Sequence, residues 1–297
     1  MTAERIWAWA QEHSDRPIRA IEPIAGGLTD TISAVHFDAG DPFILRHVTT
    51  ERWGETGRRH ITREALGTRL LNGSGLPVPR LVASDADGGR TGGYANLTTW
   101  LPGQVRLDRL GPAAMDALAR LAVSIHALPV PAEQRPPAYG FGTPPELHVP
   151  TWARQPAHWQ RAIDLFAAGP PSTPSTLVHR DFHPGNVLWT GDRVTGMIDW
   201  AETSWGPADL DVVHAATNFA LLHDPAAAAD FITAYRRHGG RLAEDPDAAR
   251  FWVVLDILGF LPDPATIVAA LLAGRPDLSA ATVRDRLEQL LVATLTA

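Results

Sequence analysis

The sequence predicts an α+β fold in two lobes, a small β-rich N-terminal lobe and a mainly helical C-terminal lobe. Short runs rich in β-branched residues dominate the first hundred residues, and apolar residues at helical spacing dominate the rest. Between the two regions, Pro102 and Gly103 interrupt regular strand pairing. We therefore predict an N-terminal lobe at residues 1–99, a hinge at 100–103 and a C-terminal lobe at 104–297.

The N-terminal lobe begins with a predicted β-hairpin. The segments IRAIEPI at 18–24 and TISAVHF at 31–37 are short β-like runs, and Gly26 and Gly27 between them can adopt the positive φ angles of a turn. After a second turn, the apolar run PFILRHV at 42–48 predicts a third strand.

A helix and two further strands complete this lobe. Apolar residues recur at helical spacing over 58–72, which places Glu64 on a helix that ends at a glycine. The segments LPVPRLVAS at 76–84 and YANLTTW at 94–100 predict the last two strands before the hinge.

The C-terminal lobe is predicted to consist of helices around a small β region. Apolar residues from Met115 to Ile125 recur at helical spacing, and a proline-rich connection follows at 129–150. The segments STLVH at 175–179 and NVLWTGDRVTGMIDW at 186–200 are typical of short strands.

Composition narrows the classes of function. The formal net charge is −7, whereas a nucleic-acid-binding protein usually carries a basic surface, so we expect no nucleic-acid partner. The chain has no cysteine, which excludes disulfides, thiolate metal sites and cysteine nucleophiles. It shows neither a signal peptide nor an apolar run of about 18 residues. We expect a cytoplasmic protein without a membrane partner, as a monomer or a weak homodimer.

The strongest chemical signal is the segment LVHRDFHPGNVLW at 177–189, followed by GMIDW at 196–200. Phosphoryl transfer needs a carboxylate that orients the attacking hydroxyl and accepts its proton, and hard oxygen ligands that hold Mg²⁺ against the phosphates. Asp181 and Asn186 have the spacing of the H-R-D-x-x-x-x-N loop of kinases. Asp199 follows where a second magnesium-binding carboxylate belongs.

On these motifs the chain resembles the aminoglycoside phosphotransferase and choline kinase-like family over nearly its whole length. The resemblance implies a protein-kinase-like fold and a Mg²⁺-dependent reaction with ATP or GTP as co-substrate. It implies that Asp181 is the catalytic base and that Asn186 and Asp199 are the magnesium ligands. It also implies that His179 braces the catalytic loop.

In the N-terminal lobe the resemblance implies nucleotide contacts. Gly26 and Gly27 correspond to the family's flexible turn over the phosphates, and Glu64 to its helix glutamate. Arg46 stands at the strand position where the family often has lysine, and its planar guanidinium could pair with Glu64 and with phosphate oxygens. The backbone of the hinge segment would bind the purine through Thr98, Thr99, Trp100 and Leu101.

The stretch WGPADLDVV at 205–213 resembles a further family pattern, which implies that Asp211 ties down the backbone of the catalytic loop. Only a few residues separate Asp199 from Gly206-Pro207 and the next helix, which leaves no room for an activation segment. Because a peptide substrate is normally docked by such a segment, we expect a small molecule with a hydroxyl group as the phosphate acceptor.

Other interpretations of single residues stay open. His179, Asp181 and His183 form H-x-D-x-H, which is compatible with a zinc site, although Asn186 and Asp199 favour a kinase. Three tryptophans either form a cage for a quaternary ammonium or pack in the core: Trp200, Trp205 and Trp252. Four acidic residues either receive ammonium groups of an aminoglycoside or are solvated at the surface: Glu202, Asp209, Asp256 and Asp263.

The leading hypothesis is a phosphotransferase that moves the γ-phosphate of ATP or GTP to a hydroxyl of an antibiotic of the aminoglycoside or macrolide type, and so confers resistance. A metabolite kinase for choline, homoserine or a sugar would use the same catalytic residues. A nucleotide-binding pseudokinase is a third hypothesis, motivated by Arg46 alone.

Overall fold

The computed structural model describes residues 2–24, 31–107, 111–140 and 147–296. The predicted α+β class is confirmed, and the chain divides into two compact units. Residues 1–104 and 188–203 form the first unit, and residues 105–187 and 204–297 form the second. The lobe limits that we predict from the sequence alone stay a prediction.

An antiparallel sheet is the main element of the first unit. Its strands are β1 (Ile18–Pro23), β2 (Thr31–Phe37), β3 (Phe43–Val48), β4 (Leu81–Asp85) and β5 (Tyr94–Thr99). They are ordered β1-β2-β3-β5-β4. Alternate residues of a strand share one face, and on one face Val35, Phe37, Leu45 and Leu97 form a core with Trp9. Trp9 belongs to helix α1 (Thr2–Glu12), which was not predicted from the sequence.

Helix α2 (Thr50–Leu70) carries Glu64 and begins earlier than the predicted residue 58. The cause is Gly54, whose φ of 44° and ψ of −129° break the helical geometry, so that the first turns do not continue the apolar periodicity. At the other end, a Cβ at Gly67 would overlap the hydroxyl of Thr203. Helix α2 therefore packs closely on the segment that follows Asp199.

Residues 188–203 belong to the first unit because they pack on it. Strands β6 (Gln104–Val105), β8 (Val187–Thr190) and β9 (Arg193–Met197) form a sheet ordered β6-β8-β9. The amide of Met197 donates to the carbonyl of Pro77 at 2.7 Å. This bond fixes the end of β9, from which the chain turns through Asp199.

The second unit is mainly helical. Its helices are α3 (Pro112–His126), α4 (Pro156–Ala167), α5 (Asp209–Leu222), α6 (Pro225–Arg237), α7 (Pro246–Gly259), α8 (Pro264–Ile267), α9 (Ala269–Ala273) and α10 (Ala280–Thr296). Aspartate caps start several of them, as when Asp245 accepts from the amide of Ala248 at 2.8 Å ahead of Pro246. Helix α5 is buried all round, which makes it the central helix of this unit.

Two short strands frame the catalytic loop. Strand β7 (Thr176–Val178) pairs antiparallel with β10 (Ser204–Gly206) in the second unit. The chain leaves β7 directly into the H-R-D segment, so the loop starts from a buried and hydrogen-bonded position. None of the helices in the described ranges is long and apolar enough to span a membrane.

Candidate active site

Arg46 joins two carboxylates inside the first unit. Its Nε donates to Glu64 Oε1 at 3.0 Å, and its Nη2 donates to Asp199 Oδ1 at 2.8 Å. Strand β3 supplies Arg46, helix α2 supplies Glu64, and the turn after β9 supplies Asp199. A planar guanidinium suits two carboxylates at once, because its N–H groups form a rigid fork. The structure therefore brings these three sequence-predicted residues together.

Asn96 completes this arrangement and was not predicted from the sequence. It lies opposite Arg46 in the register of β3 and β5, and its Nδ2 donates at 2.8 Å both to Glu64 Oε2 and to the carbonyl of Ile61. Arg46, Glu64 and Asn96 are 6%, 7% and 0% exposed. Because buried charges need partners, these contacts fix the Glu64 carboxylate in one orientation. The available signal was an amide side chain inside an apolar strand.

Asp199 has a left-handed backbone conformation, with φ of 64° and ψ of 63°. A short 3₁₀ turn follows, and its Glu202 pairs with His60 at 2.9 Å and with Arg63 at 3.3 Å on α2. Burial raises the pKa of Glu202, but the hydrogen bond and charge of His60 and the charge of Arg63 outweigh it, so that this pKa lies below its ordinary value. The ion pairs fasten the turn that presents Asp199.

The predicted hinge segment, residues 98–101, begins at the end of strand β5. Thr99 ends β5, and both its amide and its hydroxyl are bonded to the backbone of Arg80, at 2.9 and 3.0 Å. A nucleotide base would therefore have to meet Trp100 or Leu101 rather than the Thr99 amide. Trp100 is 38% exposed. Gly26 and Gly27, predicted to cover the phosphates, lie outside the described residues.

Asp181 and Asn186 are in direct contact in the second unit. Asn186 Nδ2 donates to Asp181 Oδ2 at 2.8 Å and to the Asp181 carbonyl at 2.9 Å. A 3₁₀ turn, Pro184–Asn186, positions the amide, and His183 Nδ1 accepts from the amide of Gly185 at 3.0 Å. The five-residue spacing thus places the proposed base beside the amide, whose oxygen is directed away from Asp181.

Asp211 on α5 holds the backbone of the catalytic loop. Its two oxygens accept from the amides of His179 and Arg180, each at 2.7 Å. Arg180 has a φ of 74°, a conformation that costs a non-glycine residue about 1–3 kcal/mol, and the two charge-assisted bonds offset this cost. Burial raises the pKa of Asp211, but the hydrogen bond and charge of His126 and the charge of His179 outweigh it, so that the pKa is lowered. His179 Nδ1 also accepts from the amide of Asp181 at 3.2 Å.

His214 also contacts Asp181 and was not predicted from the sequence. Its Nε2 lies 3.4 Å from Asp181 Oδ1, beside His183 Nε2 at 3.5 Å, and its Nδ1 lies 2.9 Å from Asp256 Oδ1. Burial raises the pKa of Asp181, but the charges of the two histidines hold it well below its ordinary value. Burial lowers the pKa of His214, but Asp256 and Asp181 raise it to about 10. The available signal was the three-residue spacing from Asp211, which puts both side chains on one face of α5.

The zinc interpretation of His179, Asp181 and His183 gains no support. In the part of the chain that the structure describes, no three or more His, Asp or Glu side chains are arranged to hold a metal ion. The oxygen donors of the predicted magnesium ligands do fit a hard cation. The amide oxygen of Asn186 points away from Asp181, and Asp199 engages Arg46 through Oδ1 and not through Oδ2.

The three tryptophans each have an ordinary environment in their own unit. Trp200 and Trp252 are 0% and 2% exposed and pack in the cores. The guanidinium of Arg135 lies 4.4 Å from the ring centre of Trp205. These contacts indicate packing rather than a cage for a ligand cation.

The four acidic residues considered for ammonium binding have partners within the protein. Asp209 is buried and accepts from the amide of Ala243 at 3.0 Å. Asp263 pairs with an arginine of α10. Glu202 and Asp256 have the histidine partners described above. A cationic acceptor would therefore need other groups for its recognition.

Comparisons with known sequences also indicate a phosphotransferase. The model of a family described as the phosphotransferase enzyme family matches residues 20–252. An aminoglycoside 3'-phosphotransferase of Streptomyces ribosidificus is 26% identical over 226 residues, which cover 69% of this chain and 83% of the relative. An N-acetylmuramate/N-acetylglucosamine kinase of Pseudomonas aeruginosa is 30% identical over 158 residues, which cover 48% of this chain and 45% of the relative.

Comparison with solved structures concerns the fold. A spectinomycin phosphotransferase in complex with ADP and spectinomycin is similar with a TM-score of 0.64 at 14% sequence identity. The similarity covers 99% of this chain and 98% of the other. The predicted protein-kinase-like fold is confirmed.

Proposed function

Because the chain belongs to the phosphotransferase enzyme family, we propose that it transfers the γ-phosphate of ATP or GTP, with Mg²⁺, to a hydroxyl group of a small molecule. The proposed acceptor is an antibiotic of the aminoglycoside or macrolide type. The observation that carries the reaction is the contact between Asp181 and Asn186 on a loop whose strained backbone is held by Asp211. The aminoglycoside 3'-phosphotransferase named above supports the acceptor class.

The catalytic loop supplies the base of the proposed reaction. Asp181 orients the acceptor hydroxyl and receives its proton as the bond from that oxygen to the γ-phosphorus forms. The bond from the γ-phosphorus to the nucleoside diphosphate breaks, and the diphosphate leaves. Asn186 and Asp199 are the residues that would hold Mg²⁺, and the ion would neutralise charge on the phosphates.

The first unit supplies the proposed nucleotide contacts. Arg46, fixed by Glu64, carries the positive charge for phosphate oxygens, and the backbone of Trp100 or Leu101 meets the base. The turn with Gly26 and Gly27 stays a prediction for the phosphates.

The chain contains no lysine at all, since all 26 of its Lys and Arg residues are arginine. The arginine at position 46, where the family often has lysine, therefore reflects the absence of lysine from the whole chain. This weakens the only motive for the pseudokinase hypothesis.

A second candidate function is a sugar kinase. It is favoured by the 30% identity with an N-acetylmuramate/N-acetylglucosamine kinase. The partnered acidic residues also favour it, because neither uncharged N-acetylglucosamine nor the N-acetylmuramate anion needs free carboxylates, whereas a polycationic aminoglycoside does. The catalytic residues do not distinguish the two, since both reactions phosphorylate a hydroxyl.

The test is phosphate transfer from ATP and from GTP, with Mg²⁺, to a panel of acceptors followed by mass spectrometry. The panel holds aminoglycosides, spectinomycin, macrolides, N-acetylmuramate, N-acetylglucosamine, choline and homoserine. A gain of one phosphoryl group identifies the acceptor class and the donor. Nucleotide binding without transfer to any acceptor would contradict the proposal and favour the pseudokinase.

A further inference from the structure

His214 lies in a row of three side chains that ends at Asp181. Nδ1 faces Asp256 Oδ1 at 2.9 Å, and Nε2 faces Asp181 Oδ1 at 3.4 Å. Helix α5 supplies His214 and helix α7 supplies Asp256. All residues of α5 except His214 are buried, and the side chain of His214 is 19% exposed.

The His214 ring is held in one orientation. Phe260 stacks on its face with ring centres 6.0 Å apart and an interplanar angle of 18°. His183 meets it at 77° and 5.7 Å. Asn218 donates to the His214 carbonyl at 2.9 Å and lies farther, at 3.4 Å, from Nε2. The two ring contacts fix the plane of the imidazole, and the bond between Nδ1 and Asp256 selects its orientation within that plane.

Both ring nitrogens of His214 face hydrogen-bond acceptors. An ionised carboxylate only accepts, so Nδ1 donates to Asp256, while Nε2 lies within ion-pair distance of Asp181 Oδ1 at 3.4 Å. A ring with two N–H groups is the imidazolium cation, in agreement with the raised pKa of His214. The cation therefore presents a fixed donor to the Asp181 carboxylate.

Among the described residues, His214 is the hydrogen-bond partner of the Asp256 carboxylate. Its Oδ2 is buried and has no hydrogen-bond partner among the described residues. A buried carboxylate with one unsatisfied oxygen costs stability, and a buried ion pair is weak evidence for a stabilising role. A role in orienting His214 therefore explains the presence of Asp256 better than a role in stabilising the fold does.

We propose that His214, oriented by Asp256, is a positioning residue that fixes the Asp181 carboxylate for the acceptor hydroxyl. This inference rests on the phosphotransfer function proposed above. Asn186 donates to Oδ2 of Asp181, and the Nε2 atoms of His214 and His183 approach Oδ1 at 3.4 and 3.5 Å, so that the carboxylate is held in one orientation for the acceptor. Since the ring already carries two protons, it takes none from Asp181, and the base remains Asp181.

The kinetic test compares three variants with wild type: His214→Leu, which removes the donor; His214→Gln, whose amide can still donate to Asp181; and Asp256→Asn. With an acceptor identified by the panel, His214→Leu should lower kcat by about 100-fold, the scale of a misplaced catalytic group. His214→Gln should recover most of this loss, and KM for the nucleotide should not change. His223→Gln, at the end of the same helix, is the matched control.

A merely structural role gives a different result. The variants would then lower the folded fraction, while turnover per folded molecule, measured by nucleotide titration of active sites, would stay at the wild-type value. Equal losses in the Leu and Gln variants would also overturn the proposal, because the donor to Asp181 would then be irrelevant.

A second readout does not depend on the kinase reaction. In protein labelled with ¹⁵N-histidine and ¹³C-aspartate and free of nucleotide, His214→Gln should shift the carboxyl signal of Asp181, and Asp181→Asn should shift the ring signals of His214. If the panel yields no transfer but these shifts occur, the phosphotransfer proposal fails while the coupling of the two side chains stands. If neither signal responds to the other residue, the positioning role is wrong whatever the panel shows.

Discussion

Two rows of side chains, one in each unit, share the order carboxylate, cation, carboxylate. In both rows the last carboxylate is a proposed reaction residue, and the first one holds the cation in place. The arginine row consists of Glu64, Arg46 and Asp199, and the histidine row consists of Asp256, His214 and Asp181. The chain thus uses one electrostatic arrangement for two carboxylates with different proposed tasks.

The rows differ in how firmly the cation is held. In the arginine row both contacts are 3.0 Å or shorter, and Asn96 occupies the second oxygen of Glu64. In the histidine row the contact to Asp181 is 3.4 Å, and the second oxygen of Asp256 has no described partner. A guanidinium also keeps its charge at any pH that a protein tolerates, whereas an imidazolium does not. The arginine row should be the more rigid and the less sensitive to pH.

The largest expected effect comes from substitution of Asp199, the last carboxylate of the arginine row. Asp199→Asn removes the carboxylate that we propose as a magnesium ligand, and should abolish both activity and the Mg²⁺-dependent part of nucleotide binding. Calorimetric titration with ATP, with and without Mg²⁺, measures this. The matched control is Asp192→Asn in the turn after β8. Mg²⁺-dependent affinity retained by the Asp199 variant would contradict the assignment.

Substitution of Asp181, the last carboxylate of the histidine row, should affect turnover and not nucleotide binding. Asp181→Asn should lower kcat by about 10²- to 10⁴-fold, the usual contribution of a general base, because it acts on the acceptor. Nucleotide affinity should stay near that of wild type, which separates this residue from Asp199. Asp230→Asn on α6, an exposed aspartate, serves as the control. Unchanged turnover in the Asp181 variant would remove it from the mechanism.

Arg46 offers a sharper test because the natural chain has no lysine. Arg46→Lys introduces a single side-chain amine, and an acyl-phosphate derivative of ATP should acylate it if the position lies against the phosphates. ATP should block the labelling. Arg46→Met should weaken nucleotide binding about tenfold, the equivalent of one charge-assisted hydrogen bond.

Arg58→Lys is the control for this labelling. It lies on α2 in an exposed pair with Glu55, and its labelling should not be protected by ATP. Labelling of Arg46→Lys that ATP does not block would place position 46 away from the phosphates.

The two rows also differ in how much of them the sequence could predict. Asp181 and Asn186 lie five residues apart in one motif, and their contact follows from that local spacing. Arg46 and Asp199 are separated by 153 residues; Asp199 was found from the kinase motif, and Arg46 only through the resemblance. Nothing in the sequence indicated that they contact each other. Such a contact depends on how strand β3 and the turn after β9 are placed by the fold of the first unit.

His214 was not predicted because its three-residue spacing from Asp211 is a weak signal. The run DVVHAATN is typical of a buried helix, in which a single histidine is unremarkable. Its partner Asp256 is on another helix and was considered either as a receptor for an ammonium group or as a surface acid. The left-handed backbone of Arg180 was equally hidden, since a positive φ at a non-glycine residue has no sequence pattern. The start of α2 was missed because Gly54 interrupts its helical geometry.

The smallest expected effect is a pH dependence of stability in the histidine row. The folded-state pKa of His214 is raised from 6.5 to about 10, so the stabilisation from its contacts with Asp181 and Asp256 is complete below pH 6.5 and is lost as the pH rises towards 10. Relative to His214→Gln, wild type should be more stable by about 2 kcal/mol at pH 6 and gain little at pH 10. Urea unfolding across this range measures the difference.

His223→Gln provides a control of opposite sign. Burial, followed by the charges of Arg275 and Arg286, lowers the pKa of His223, so protonation of this residue opposes folding. Relative to His223→Gln, wild type should lose stability as the pH falls below 6.5 and show no difference above it. If the two variants gave the same pH profile, the stabilisation could not come from the charge of His214. His214 would then position Asp181 by packing and not by its charge.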